Sequence, residues 1–230
     1  MVDFTGGTWR SLVDGAEISA IPDSEEYPET TRHRYVPEFV DGLSDGETIE
    51  DLDDDIGDAN LSGEARYLTD VSGFAAVEIN EGSHELNHNL SSDIEQPNAV
   101  VAVIDIVEGS NDRFVDTDDF GGRQIIRDLD DPAIRIFAGS DLEVDYPSES
   151  PFILTAKFDG SDSILRTNGG ETEAIGDVGS NGKGGIQIGT GTDNIDMRAL
   201  EWAELSDQSD DDLSDVEELM SDAFDIDIAD

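Results

Sequence analysis

The chain contains no cysteine, which excludes a disulfide framework, a thiolate metal site and a cysteine nucleophile. Basic residues are nearly as scarce: 12 Lys plus Arg across 230 residues, with Lys157 and Lys183 the sole lysines. Nucleic acid is therefore not expected as a partner, because phosphates call for a basic patch and scattered arginines offer none. No stretch approaches the roughly 18 consecutive apolar residues of a membrane span, so no membrane insertion is expected. Met1 to Leu12 lacks a basic segment followed by an apolar one, and a secretory signal is not expected either. Proline is sparse at 7 residues, yet apolar residues make up 36% of the chain and recur in short runs, enough to bury a core.

Against those few cations stand 57 Asp plus Glu, giving a formal charge of −45. At ordinary ionic strength so much like charge pushes a compact state apart. At molar salt the Debye length falls to roughly 3 Å, and neighbouring carboxylates instead hold water and cations at the surface. The composition implies a protein of a salt-loving organism, or of a virus that infects one, with a requirement for high salt. It also devalues every acidic cluster as a sign of chemistry.

Residues 1–35 hold irregularly spaced apolar residues (Phe4, Trp9, Leu12, Val13, Ile18, Ile21) among glycines and prolines, too few to fold alone. They read as an arm that packs along the main domain or docks on another subunit, with residues 36–230 as the main domain and 36–65 its loop-rich entry. From Phe74 onward, short apolar runs alternate with Gly, Asn, Asp and Pro at the spacing of an antiparallel sandwich. Expected strands are Phe74–Ile79, Ala99–Val107, Arg123–Arg127, Ala133–Ala138, Leu142–Tyr146, Phe152–Phe158, Ser163–Thr167, Ile186–Gly189 and Asn194–Leu205. The run from Ala99 to Ile104 reads as a strand covered on both faces, whereas Ile134 and Ile136 alternate with Arg135 and Phe137 as in a half-exposed one. Asp159-Gly160 and Asn168-Gly169 predict tight turns and hence a meander from Phe152 to Ile175. Ser214 with Glu217 fits a capping box, followed by Val216, Leu219, Met220, Ala223 and Phe224 at helical spacing, so a short amphipathic helix closes the chain.

The ordered segments Ser72-Gly-Phe-Ala-Ala-Val-Glu-Ile79, Gln96-Pro-Asn-Ala-Val-Val-Ala-Val103, Pro151-Phe-Ile-Leu-Thr-Ala-Lys-Phe158, Ser163-Ile-Leu-Arg-Thr-Asn-Gly-Gly170, Ile186-Gln-Ile-Gly189, Asp196-Met-Arg-Ala-Leu-Glu-Trp-Ala203 and Leu213-Ser-Asp-Val-Glu-Glu-Leu219 resemble the concanavalin A-like lectin/glucanase family in its laminin-G-like or pentraxin-like form. The resemblance implies an all-β antiparallel sandwich, or jelly roll, with an N-terminal extended arm and a short C-terminal helix. The segments Thr8-Trp9-Arg10-Ser11-Leu12 and Ile21-Pro22-Asp23-Ser24 resemble structural proteins of haloarchaeal tailed viruses.

Three chemistries compete with a plain solvated surface. His84-Glu85-Leu86-Asn87-His88 matches the H-E-x-x-H zinc pattern, but that chemistry needs a helix, and Gly82, Asn87 and Asn89 sit between expected sheet segments. The glucanase strand motif E-x-D-x-x-E is incomplete both at Val103–Glu108, with Val at the nucleophile position, and at Glu143–Ser148, with Ser at the acid position. Asp51, Asp53 and Asp55 start like an EF-hand loop, but Ile56 and Ser62 occupy its defining Gly and Glu positions. Asn111, Asp116, Asp118 and Asp119 share one expected loop and are the candidate calcium ligands. Tyr67 and Tyr146 are the candidate sugar-stacking rings; Trp202 reads as core and Trp9 as an arm anchor.

The expected function is a non-enzymatic, lectin-like surface component of a haloarchaeal virion, such as a tail fibre, spike or capsid turret, assembled in the host cytoplasm. It would be homo-oligomeric, joined to other virion proteins through the arm, and would contact host-surface glycan. Glycoside hydrolysis and a purely architectural decoration role are the alternatives.

Overall fold

In a computed structural model, residues 21–229 are described apart from 58, 81–84, 109–112, 117–123, 129–132, 190–195 and 207. Their strands, in chain order, are β1 (Thr31–Tyr35), β2 (Thr48–Asp53), β3 (Asn60–Val71), β4 (Phe74–Ile79), β5 (Leu86–Ile94), β6 (Asn98–Glu108), β7 (Arg113–Asp116), β8 (Ile125–Asp128), β9 (Ala133–Phe137), β10 (Asp141–Asp145), β11 (Phe152–Phe158), β12 (Ser163–Thr167), β13 (Thr172–Gly176), β14 (Lys183–Ile188) and β15 (Asp196–Ser206), followed by helix α1 (Asp210–Phe224). The hydrogen-bonded order is β10-β9-β8-β7-β14-β5-β3-β4-β15-β6-β11-β12-β13, with β1 on β15 and β2 on β3.

This ribbon doubles over into a sandwich at β3. Ser62 and Gly63 pair with Asn87 and Leu86 of β5, whereas the far end of the same strand, from Arg66 to Val71, pairs with β4. A Cβ on Gly63 would lie 1.7 Å from the Glu85 carbonyl oxygen, so the crossing needs glycine. Between the layers, Ile126, Ile134, Ile136, Ile186, Ile188 and Leu86 meet Val100, Ala102, Ile104, Leu154, Ala156 and Trp202. On the outer side of the second layer, Val101, Val103, Ile153, Leu200 and Ala203 meet Leu213, Val216, Met220 and Phe224 of α1. Strand β6 is thus buried on both faces, as its unbroken apolar run predicts, and β9 alternates buried Ile134 and Ile136 with partly open Arg135 and Phe137. Each fully buried Leu, Val or Met contributes about 1.5–3 kcal/mol relative to exposure.

The all-β sandwich with one closing helix is the expected architecture. The meander is present as well: β11, β12 and β13 pair in succession, and Asn168 and Gly169 take the positive φ values, 45° and 67°, that their tight turn requires. Three local expectations change. Helix α1 starts earlier than the Ser214 box: Ser209 is the cap, its Oγ accepting from the Asp212 amide at 3.1 Å while Asp212 accepts from the Ser209 amide at 2.8 Å. Ser214 and Glu217 lie inside the helix, where Glu217 turns inward to an arginine. Residues 36–65 are less loop-rich than expected, containing β2 and the start of β3. The expected arm divides: residues 1–20 lie outside the described residues, but Thr31–Tyr35 is a sheet strand on β15, so the boundary at residue 35 cuts the domain itself.

Candidate functional site

Strand β1 reads Thr-Arg-His-Arg-Tyr, and its pairing sets Arg34 opposite Ala203 and Tyr35 opposite Trp202. Arg34 is fully buried. Its Nε donates to Glu201 Oε1 at 2.7 Å and its Nη1 to Asp55 Oδ2 at 2.7 Å, while the Tyr27 hydroxyl donates to the same Glu201 oxygen. The guanidinium carbon lies 4.3 Å from the Tyr27 ring centroid and 5.4 Å from that of Phe39, within cation–π range. Burial works against the Arg34 charge, but Glu201, Tyr27 and Asp55 together hold its pKa above the ordinary arginine value. Burial, followed by the Glu201 charge, drives the Tyr27 hydroxyl strongly upward.

Other interior charges are paired in the same manner. Lys183 Nζ donates to Glu204 at 2.8 Å, Arg166 grips Glu217 through Nε at 2.8 Å and Nη2 at 2.7 Å, and Lys157 reaches Asp210 of α1 at 2.8 Å. Lys157 is 7% and Lys183 2% exposed, so neither of the chain's two lysines belongs to the solvated surface.

Next to Arg34, His33 Nδ1 and Asp54 Oδ2 lie 2.5 Å apart, and the Asp54 side chain is fully buried. Asp54 Oδ1 accepts the backbone N–H groups of Arg34 at 3.1 Å, Ile56 at 2.9 Å and Gly57 at 2.7 Å. Burial alone would raise the Asp54 pKa; the His33 bond and the three amides outweigh it and hold the carboxyl below the usual range. A Cβ on Gly57 would fall 2.0 Å from Asp54 Oδ2 and 2.7 Å from His33 Nδ1, so glycine is required where the loop closes on the pair. His88 of β5 meets the His33 ring edge-on, with centroids 5.9 Å apart and planes at 84°.

A carboxyl whose native pKa lies below its unfolded one stabilises the fold above the unfolded value, and that contribution is lost as pH falls through the native value. Asp54→Asn is therefore expected to cost about 1–3 kcal/mol at neutral pH. The gap from the parent protein should close below about pH 3.9, the ordinary aspartate value. Urea midpoints measured for both proteins across that range check this, and a gap independent of pH would refute it.

The candidate sugar-stacking rings do not form a platform. Tyr67 of β3 is 8% exposed in the main core, where burial and then Glu38 and Asp41 raise its hydroxyl pKa. Tyr146, after β10, is half-buried and sets its ring edge-on to Phe152 at 6.3 Å. Trp202 is core, as its place in the last strand predicts; Trp9 lies outside the described residues. Asn111, Asp118 and Asp119 also lie outside them, and Asp116 is described only through its backbone, paired with Ile125 and Gln187. Among the described residues no group of three or more His, Asp or Glu is placed to hold a metal ion. His84 is outside the described residues, and Leu86–Ile94 is a strand, so His88 has no helical face to share with Glu85. Glu85 instead accepts from Gln187 at 2.7 Å. Of the partial glucanase motifs, Asp105 is tied to Arg198 at 3.0 Å and to Ser150 at 2.5 Å, and Glu143 is ion-paired with Arg135.

Among the described residues the one strongly exposed aromatic ring is Phe39, at 47%. It ends the Pro37–Phe39 3-10 turn directly after β1, closed by Phe39 N–H to the Val36 carbonyl at 3.0 Å and pinned by Glu38 Oε2, which accepts the Ala75 amide at 2.7 Å. Sequence reasoning passes over Phe39, His33, Asp54, Arg34 and Glu201. The available signal was a Glu at 201 and another at 204 inside the apolar run Ala199–Leu205, which demands buried cations as partners.

No family model matches the chain, and no curated protein matches it in sequence. Solved structures match in shape. A Trypanosoma rangeli sialidase in complex with sialic acid superposes with a TM-score of 0.60 at 9% identity, covering 90% of this chain and 34% of the sialidase. The fold is the β-sandwich that these proteins share. A botulinum neurotoxin type C structure, described as showing cell entry dependent on two ganglioside molecules, gives 0.60 at 10% identity over 84% of this chain and 51% of that one. A mutant GH54 α-L-arabinofuranosidase soaked with 4-nitrophenyl α-L-arabinofuranoside gives 0.57 at 15% identity, over 76% and 51%. The chain thus spans about a third of the sialidase and about half of the other two. The expectation of a chain without enzymatic activity is overturned by the matched structures, which include a sialidase and an arabinofuranosidase; at 9% and 15% identity the likeness is one of fold.

Proposed function

We propose that the chain is a carbohydrate-recognising β-sandwich that works at molar salt, carried on the surface of a haloarchaeal virus particle and directed at host glycan. The observation that carries this reading is the sandwich itself, whose matched structures are named for sialic acid, gangliosides and an arabinofuranoside. Phe39 is the stacking residue: an open aromatic face on a pinned turn meets a sugar ring without a large ordering cost. Glu38 and Asp41 beside it supply acceptors for sugar hydroxyls. Attachment to the particle rests on the sequence likeness of residues 8–12 and 21–24 to viral structural proteins.

A glycan array probed in molar KCl tests the reading, with Phe39→Ala expected to weaken binding about tenfold or more, equivalent to about 1.4 kcal/mol; because the ring also lies 5.4 Å from the Arg34 guanidinium, circular dichroism in the same buffer establishes that the variant is folded. Release of reducing sugar from a bound glycan would extend recognition to hydrolysis. Absence of binding to every glycan, together with recovery of the chain from purified particles, would replace recognition by an architectural role. Absence from particles would remove the virion assignment.

A further inference from the structure

We propose that His33 and His88 form a binding site for one transition-metal cation of the imidazole-preferring class, such as Zn²⁺ or Ni²⁺. The two rings come from β1 and β5, strands that are not neighbours in the sheet, and the fold alone brings them to a centroid separation of 5.9 Å at 84°. His33 already has the environment of a metal-bound imidazole. Its Nδ1 is committed to Asp54 at 2.5 Å, and three backbone amides fix Asp54 in turn, which orients the ring and leaves Nε2 to bind a ligand. His88 adds an independent observation: its Nδ1 is buried without a hydrogen-bond partner, and such atoms in native folds call for a bound ion or water.

Imidazole nitrogen selects Zn²⁺, Ni²⁺ or Cu²⁺ over Ca²⁺ and Mg²⁺, which require several oxygens. Two protein ligands leave the remaining coordination positions to water or to an oxygen of a bound molecule, so the site is open. It differs from the H-E-x-x-H reading, which would pair His88 with His84 and not with His33. The charge of −45 concentrates cations around the protein in general; the histidine pair supplies the selectivity.

The test titrates the full chain, stripped with chelator and held in molar KCl, with Ni²⁺ and separately with Ca²⁺ by calorimetry. One equivalent of Ni²⁺ per chain is expected, with no Ca²⁺ isotherm of matching stoichiometry. His33→Gln and His88→Gln should each lose that isotherm, and Asp54→Asn should weaken it about 10- to 100-fold through loss of ring orientation, while His84→Gln leaves it intact. Circular dichroism establishes that each variant is folded. For any variant that is not, Zn²⁺-induced shifts of the His33 and His88 ring nitrogens in the parent protein provide the readout. Weak multi-site binding unaffected by the histidine substitutions, ring nitrogens that do not shift, or loss confined to His84→Gln would each overturn the proposal.

Discussion

Arg34→Met is expected to destabilise the protein by about 3–5 kcal/mol, the cost of stranding a buried charge by removing its partner. The stranded group is Glu201, whose side chain is fully buried and which keeps only the Tyr27 hydroxyl once the Arg34 Nε bond is gone. Methionine nearly preserves the length and apolar volume of the arginine stem, so the loss reads out charge and hydrogen bonding more than a cavity. Asp55 loses its 2.7 Å partner too, but it is more exposed and that loss adds little. Arg34→Lys should fall between parent and Met, since an ammonium keeps the charge and forfeits the fork that reaches Glu201 and Asp55 together.

Removing the whole group at once, as Tyr27→Phe/Arg34→Met/Glu201→Leu, should recover most of the loss, because replacing a buried ion pair with packed apolar residues is often neutral or stabilising. Urea unfolding in molar KCl, followed by the fluorescence of buried Trp202, measures all four proteins at constant screening. An Arg34→Met variant within about 1 kcal/mol of the parent would show that Glu201 is not a charge held in place by Arg34.

The same residues show what sequence could and could not reveal. Strands β4, β11 and β12 have the expected ends, because their apolar runs are bounded by Gly, Pro and Asp turn signals. Strand β6 is legible for a related reason: a run buried on both faces needs no alternation to be recognised. The missed strands hide behind composition. In β2 the inward residues are Ile49 and Leu52, three apart in a run otherwise made of acids and a threonine, and β1 buries Arg34 and Tyr35 with no apolar alternation.

The polar centre was illegible for a physical reason as well. In a chain this acidic a carboxylate carries almost no information about position, yet Asp54 and Glu201 are interior. Their partners lie 21 and 167 residues away along the chain, a separation that no local spacing rule spans. Scarcity of cations was the better guide: Lys183, Arg34 and Arg166 are buried and each is paired with an interior acid, while buried Lys157 reaches the exposed Asp210 of α1.

That disposition leads to the second large effect. Transfer from molar KCl to 0.1 M is expected to unfold or substantially loosen the protein, because the Debye length grows from roughly 3 to roughly 10 Å and neighbouring surface acids then repel with few cations among them to compensate. The interior pairs are shielded from salt by burial, so the change should begin where acids lie against an unfavourable field. Helix α1 marks the place. Asp210, Asp211 and Asp212 occupy its first turn, where the helix dipole favours them, but Asp222 and the cap residue Asp225 sit at the end that disfavours anions, with no basic residue in the last turn. Amide exchange should therefore rise first near Phe224, whose ring rests 4.8 Å from that of Phe74. Asp225 adopts the left-handed conformation at φ 54°, so Asp225→Gly removes both the repelled charge and the strained side chain and should move the salt midpoint lower. Replacing KCl with an equal osmolality of sucrose separates screening from solute exclusion: sucrose should fail to protect. Circular dichroism unchanged at 0.1 M, or full protection by sucrose, would show that the surface acids are not what ties this fold to brine.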